Sequence, residues 1–180
     1  MSQRLMDDMI KSHKEYSDFK QNYFFDDVLF SFQWWFLVLL FIVLWIIWII
    51  LVDKKHFKSI ILVGLTTSLL AFILDDIGLT LDFWAYSYQM TYFASQLYTV
   101  DLAIIPVFYM LLYQYARTWK IYSIILVLLT FFAVLVAEPV MIKLSIYNLL
   151  TWNIWYSAPF YILIGIFAKW FADWVDRKGE

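Results

Sequence analysis

Two adjacent carboxylates, Asp75 and Asp76, stand near the far end of an otherwise apolar, membrane-length stretch, in Leu74-Asp75-Asp76-Ile77-Gly78. Ionisable side chains at membrane depth are expensive and mark a functional site whose partner must be sought. The partners on offer are Asp101, at the start of the next apolar stretch, and Glu138, at the end of the one after. Crowded carboxyls hinder each other's ionisation, so such a group could share a proton, hold a cation, or divide into an acid and a base.

Depth supports grouping them. At about 1.5 Å of rise per residue, Asp75 lies roughly 25 Å above Lys58, Asp101 roughly 24 Å above Arg117 and Glu138 roughly 27 Å above Lys120. Three apolar stretches thus bring acid to one level, a turn below one edge of a hydrocarbon layer about 30 Å thick, and Trp152 falls beside it. Gly64, Ser68, Ala71 and Asp75 share one helical face, a stripe of small residues that turns Asp75 into a bundle. Asp76 points about 100° away, toward a more lipid-like face. Asp101 begins its helix, where it could serve as a cap, whereas Asp75 and Glu138 approach helix C-termini that disfavour anions. The competing reading is ordinary interfacial charge in water.

The proposed ligand-binding set is therefore Asp75, Asp101, Glu138, Trp152 and Tyr156. Asp76, Trp84, Tyr109, Tyr113 and Trp155 are secondary candidates. Tyr109 and Tyr113 lie a turn apart, and Trp152, Trp155 and Tyr156 form either an interface belt or the aromatic wall of a cation site. Pro106 and Pro159 should release the carbonyls of Leu102 and Trp155. No nucleophile triad, metal-ligand spacing or phosphate-cradling glycine loop is visible, so no cofactor and no catalytic residue is assigned, and any metal is left open.

The elements that must position these residues are membrane spans. Of 180 residues, 64% are hydrophobic, 22% aromatic and only 16% charged, and mean hydropathy is +0.73, far from a soluble domain. The expected fold class is all-α, a polytopic integral membrane protein with an amphipathic N-terminal surface helix. Residues 1–30 form the interfacial segment, with Leu5, Met6, Met9, Ile10, His13, Tyr16 and Phe19 at helical spacing, and Asp26 or Asp27 is the expected cap of the first span. Residues 31–175 form a five-helix bundle with spans at about 34–52, 59–81, 102–116, 121–137 and 154–172. The connections 82–100 and 140–152 should lie at the surface. The charged start reads as a tail before a retained span, not a cleaved leader.

Absence of cysteine removes disulfides and thiolate chemistry. A net charge of -2 without a basic stripe argues against nucleic acid. Lys54, Lys55 and Lys58, then Arg117 and Lys120, then Lys169, Arg177 and Lys178 follow the odd-numbered spans, which sets the N-terminus outside and the C-terminus inside.

Asp75-Asp76-Ile77-Gly78 with Trp84-x-Tyr86, Val100-Asp101 leading to Pro106 and Tyr115, Glu138-Pro139, and Tyr147-x4-Trp152-x2-Trp155-Tyr156-Ser-x-Pro159 together resemble a family of small uncharacterised membrane proteins of spore-forming Bacillus-type bacteria. The likeness covers about residues 34–172. It implies a bacterial plasma-membrane protein, used in sporulation or germination, and brings no agreed activity.

The leading expectation is a non-enzymatic protein that binds a cation or small cationic solute in an acidic, aromatic outer-leaflet pocket, as a sensor, accessory subunit or transporter component. No internal repeat is visible, so a homo-oligomer or membrane partner protein is expected beside the lipid bilayer. Two alternatives stand: an enzyme acting on a lipid or isoprenoid with a carboxylic acid and carboxylate pair, and a membrane scaffold for a partner protein.

Overall fold

A computed structural model describes residues 3–179 of the chain. Its regular elements are helices apart from one small ribbon. The first helix, α1 (Gln3–Tyr23), buries no residue along its length. Leu5, Met6, Met9, Ile10, Tyr16 and Phe19 all remain exposed on its apolar face. Lys20 ties the end of α1 to the body through Ala94 O and Ser95 Oγ.

Four helical stretches are long and apolar enough to cross a membrane: Phe32–Leu51, Lys54–Thr80, Trp119–Lys143 and Ile154–Lys178. A fifth, Val100–Tyr115, is apolar but shorter. Helix α2 (Phe32–Leu51) starts where Ser31 Oγ accepts the N–H of Trp34. The cap is therefore Ser31 and neither Asp26 nor Asp27, which lie in a wide π turn upstream, Phe24–Val28. Helix α3 (Phe57–Thr80) follows a 3-10 turn, Lys54–His56, capped by Asp53.

The chain returns through a π turn, Val100–Ile104, that runs into α4 (Ile105–Tyr115). Pro106 lacks an N–H and cannot bond the carbonyls behind it. Those carbonyls are used by neighbours: Trp45 Nε1 donates to Leu102 O at 3.0 Å and Ser68 Oγ to Asp101 O at 2.8 Å. The proline thus opens the backbone where α2 and α3 can grip it.

Glu138-Pro139 does not end the next helix as its sequence suggests. Between α5 (Trp119–Phe132) and α6 (Glu138–Lys143) the helix widens into a π turn, Ala133–Ala137, which takes up the missing bond. The helix therefore continues to Lys143, through the first four residues of the segment 140–152 expected to lie at the surface. Pro159 likewise does not kink its span, because it falls in the first turn of α7 (Ser157–Gly179), where no intrahelical N–H is needed.

Strands β1 (Trp84–Tyr86) and β2 (Tyr147–Leu149) pair antiparallel with Ala85 opposite Asn148. Both lie in connections that the apolar pattern marks only as surface segments. Under the ribbon, Leu37, Leu97, Met141, Ile146 and Tyr147 form a small core. The larger core joins α3, α4, α5 and α7 through Val63, Ala71, Tyr109, Tyr122, Leu126 and Ala168. Helix α3 packs on α4 and α7, and α7 on α5, while α3 and α5 are not substantially packed on each other.

Candidate functional site

The chain builds two corners by the same local rule. After α3, Leu81 N bonds Ile77 O, Asp82 N bonds Leu79 O and Phe83 N bonds Gly78 O; after α6, Leu144 N bonds Val140 O, Ser145 N bonds Ile142 O and Ile146 N bonds Met141 O. In each, the residue with positive φ, Asp82 at 53° or Ser145 at 57°, turns the chain out of the helix. A three-residue strand follows at the same spacing, and the two strands pair with each other. Asp75 and Glu138 occupy matching positions before these corners. The two corners are thus short local copies, carried by backbone geometry and hardly at all by residue identity.

At the first corner, Asp75 Oδ1 accepts from Trp84 Nε1 at 2.8 Å and from the Tyr86 hydroxyl at 2.6 Å, while Oδ2 accepts the Leu97 N–H at 3.3 Å. Trp84 and Tyr86 are two apart on a strand and so share a face, which is why both reach one carboxylate. Gly78 makes room: a Cβ there would fall 2.0 Å from Trp84 Cζ2. Asp101, in the π turn opening α4, brings its carboxyl within hydrogen-bonding reach of Asp75. Its buried Oδ2 finds no donor. Burial and the adjacent Asp75 hold the Tyr86 phenol protonated, well above the usual tyrosine range.

At the second corner, Glu138 Oε1 accepts from the Tyr161 hydroxyl at 2.7 Å and Oε2 from Ser157 Oγ at 3.3 Å. Ser157 in turn accepts from Trp152 Nε1 at 3.1 Å. Ser157 and Tyr161 stand four apart on α7 and so present one face. Burial, with Glu138 and Asp75 nearby, raises the Tyr147 phenol. The Trp84 and Trp152 rings meet edge to face at 5.2 Å and join the corners.

One cavity of about 520 Å³ touches both corners. Asp75, Asp101, Glu138, Trp84, Tyr109 and Trp152 line it, among mostly aliphatic and aromatic neighbours. Its wall carries two buried polar atoms that receive no hydrogen bond, Asp101 Oδ2 and Thr130 Oγ1. Ile77 on α3, Phe132 on α5 and Val136 in the following π turn line it and are 45–50% exposed. The cavity wall is most exposed at these three side chains, with Val140 and Phe160 next. No Lys, Arg or His lines the cavity, and no group of three metal-ligating side chains occurs among the described residues.

The remaining candidates lie elsewhere. Asp76 is exposed and accepts from Gln96 Nε2 at 2.8 Å. Trp155 and Tyr156 are 52% and 57% exposed and do not line the cavity, though Tyr156 packs edge-on against Trp152. Tyr109 donates to Tyr161 O at 2.7 Å and braces the second corner. Tyr113 belongs to the opposite end of the bundle, where it bonds Asp173 and Asp176. There buried Lys169 contacts Asp173 and lies over the Tyr113, Trp119 and Tyr122 rings, beside a smaller cavity of about 170 Å³. The sequence reading missed Tyr86, Ser157 and Tyr161. The two-residue spacing of Trp84 and Tyr86 and the four-residue spacing of Ser157 and Tyr161 were the available signals. Compared with known proteins, the chain matches no family model, no curated protein and no solved structure.

Proposed function

We propose that this protein receives a molecule from the bilayer through an opening between α3 and α5 and holds an electron-poor or positively charged part of it against Asp75, Asp101 and Glu138. The observation that carries this reading is one cavity that touches all three acids and has Ile77, Phe132 and Val136, each about half exposed, in its wall. An ion from water would meet apolar walls, whereas a chain-bearing molecule could leave its hydrocarbon among Leu40, Ile104, Leu129 and Phe132. The aromatic faces of Trp84 and Trp152 suit positive charge. This refines the expected cationic solute into a lipid-soluble one.

The same reading takes the shorter helix Val100–Tyr115 as a fifth span and α1 as a helix lying on the membrane surface with its apolar face in the lipid. It places the chain in the plasma membrane of a Bacillus-type bacterium, N-terminus outside, with the acidic corners in the outer leaflet. A role in sporulation or germination rests on the motif likeness alone.

The test is thermal unfolding of the protein in lipid nanodiscs with a sixteen-carbon primary amine, a linear isoprenoid alcohol, tetramethylammonium, and simple mono- and divalent cations. A ligand bound only by the folded state raises the melting temperature saturably. The chain-bearing compounds should do so and the small ions should not, and Asp75→Asn with Glu138→Gln should remove the effect. An equal shift with tetramethylammonium, or a shift that survives the double substitution, would contradict the proposal.

A further inference from the structure

We propose that the positive charge this cavity accommodates is made inside it, by proton transfer from Asp101 to a carbon–carbon double bond of a linear isoprenoid, so that the protein is an isomerase or cyclase of such chains. The inference rests on the bilayer-facing cavity proposed above and adds chemistry to it.

Two carboxyl groups in contact need a proton between them, because ionised carboxylates are acceptors only. The hydrogen bonds say where it sits. Asp75 receives Trp84 Nε1, the Tyr86 hydroxyl and the Leu97 N–H, donors that favour a carboxylate. Asp101 receives no such donor at its buried Oδ2, and it lines the cavity. Asp101 is thus the acid of the pair and Asp75 the base that anchors it. At the second corner Glu138, held by Tyr161 and Ser157, is another carboxyl facing the same space. Acid and base thus line one apolar chamber, the arrangement that acid–base chemistry on a hydrocarbon requires.

The walls narrow the reaction. A carbocation could also arise by loss of a diphosphate, but no basic residue lines the cavity to hold one, nor is any three-ligand metal cluster present among the described residues. Proton addition remains. The Asp101 proton forms a C–H bond at the less substituted carbon as the π electrons leave, and a tertiary cation results beside Trp84, Trp152 and Phe83. A second double bond of the same chain can attack it, closing a ring. Loss of a proton from a neighbouring carbon to Glu138 restores a double bond. The product is an isomer of the substrate, so no oxidant, reductant or leaving group is needed, and water returns the proton from Glu138 to Asp101.

The experiment incubates the nanodisc protein in D2O with geranylgeraniol or squalene, recovers the hydrocarbon and analyses it by gas chromatography and mass spectrometry, with melting curves of the same samples. The expected result is an isomer carrying deuterium on carbon. Its formation should fall by at least about 100-fold in Asp101→Asn and Glu138→Gln, while Asp76→Asn, whose side chain faces outward, is unaffected. Melting curves confirm that each variant folds and binds. Probes that raise the melting temperature but return without deuterium would overturn the chemistry and leave the binding reading standing. Deuterium incorporation that persists in Asp101→Asn would overturn the assignment of the acid. Probes that neither stabilise the protein nor change would overturn both.

Discussion

The two corners share a backbone and differ in what they hold. Each consists of a helix end, a residue with positive φ and a three-residue strand, and each sets one carboxyl against the same cavity. At the first, the acid's neighbour on the following helix is another carboxyl, Asp101; at the second it is a hydroxyl, Ser157. The first also holds a glycine, Gly78, where the second has Met141, and so admits the Trp84 indole against its acid. One scaffold thus yields two environments, a pair of neighbouring carboxyls and a single carboxyl held by hydroxyls. The proposed division into acid and base rests on that asymmetry.

The comparison can be broken most severely at Gly78. In Gly78→Ala the new methyl would overlap the Trp84 ring, so chemical denaturation should show a loss of about 1–3 kcal/mol, the usual cost of overpacking. The ligand-induced melting shift should weaken with it. Stability equal to wild type would mean that Trp84 does not depend on this approach.

The next effect separates the corners by coupling. A double-mutant cycle of Asp75→Asn with Asp101→Asn should give an interaction term of about 1–3 kcal/mol, as the proposed sharing of a proton requires. The cycle of Glu138→Gln with Ser157→Ala should give under about 1 kcal/mol, as for an ordinary hydrogen bond. Equal terms would erase the distinction.

A smaller pair of changes tests the likeness instead. Tyr86→Phe and Tyr161→Phe each remove one hydroxyl donor from a buried acid, and each should cost about 1 kcal/mol. A large loss at one corner alone would show that the hydroxyls do not play matching roles.

The smallest effect lies away from both corners, at the basic end. There Asp53 accepts from His56 at 2.8 Å and from Arg117 at 3.2 Å, and the His56 hydrogen bond above all holds its carboxyl below the usual carboxylate range. A depressed acid contributes stability above its unfolded pKa and loses it as pH falls through the folded value. Melting followed from pH 6 to pH 3 should therefore show a slightly smaller decline in Asp53→Asn than in wild type. Identical curves would remove the contribution.

Much of this architecture was legible in composition. Long uncharged runs announce helices suited to a membrane, and four helices long and apolar enough to cross one are present. The grouping of the acids was legible too, because helical rise converts residue counts from Lys58, Arg117 and Lys120 into a shared position along the helices, and all three acids line one cavity. The stripe of Gly64, Ser68 and Ala71 correctly turned Asp75 inward, and Asp76 outward. What stayed hidden depended on irregular backbone. Glu138-Pro139 reads as a helix end because the π turn that absorbs Pro139 leaves no residue signature in Ala133–Ala137. The ribbon was concealed because Trp84-Ala-Tyr86 is too short for alternation to show, and its partner strand lies far along the chain. Tyr156 and Trp155 look like site residues by type, yet the 3-10 turn Ile154–Tyr156 leaves both exposed on the surface.

The most direct test of the account is whether the cavity opens to hydrocarbon or to water. The chain contains no cysteine, so a single spin label can be placed at Ala133→Cys or at Thr130→Cys, both on the cavity wall, and its collision rates with oxygen and with a water-soluble nickel chelate measured in nanodiscs. The account predicts that oxygen, which concentrates in lipid, dominates at both positions, and that a bound isoprenoid or long-chain amine lowers its access. Dominant nickel collisions at both would show a water-filled funnel and contradict a site that draws its ligand from the bilayer.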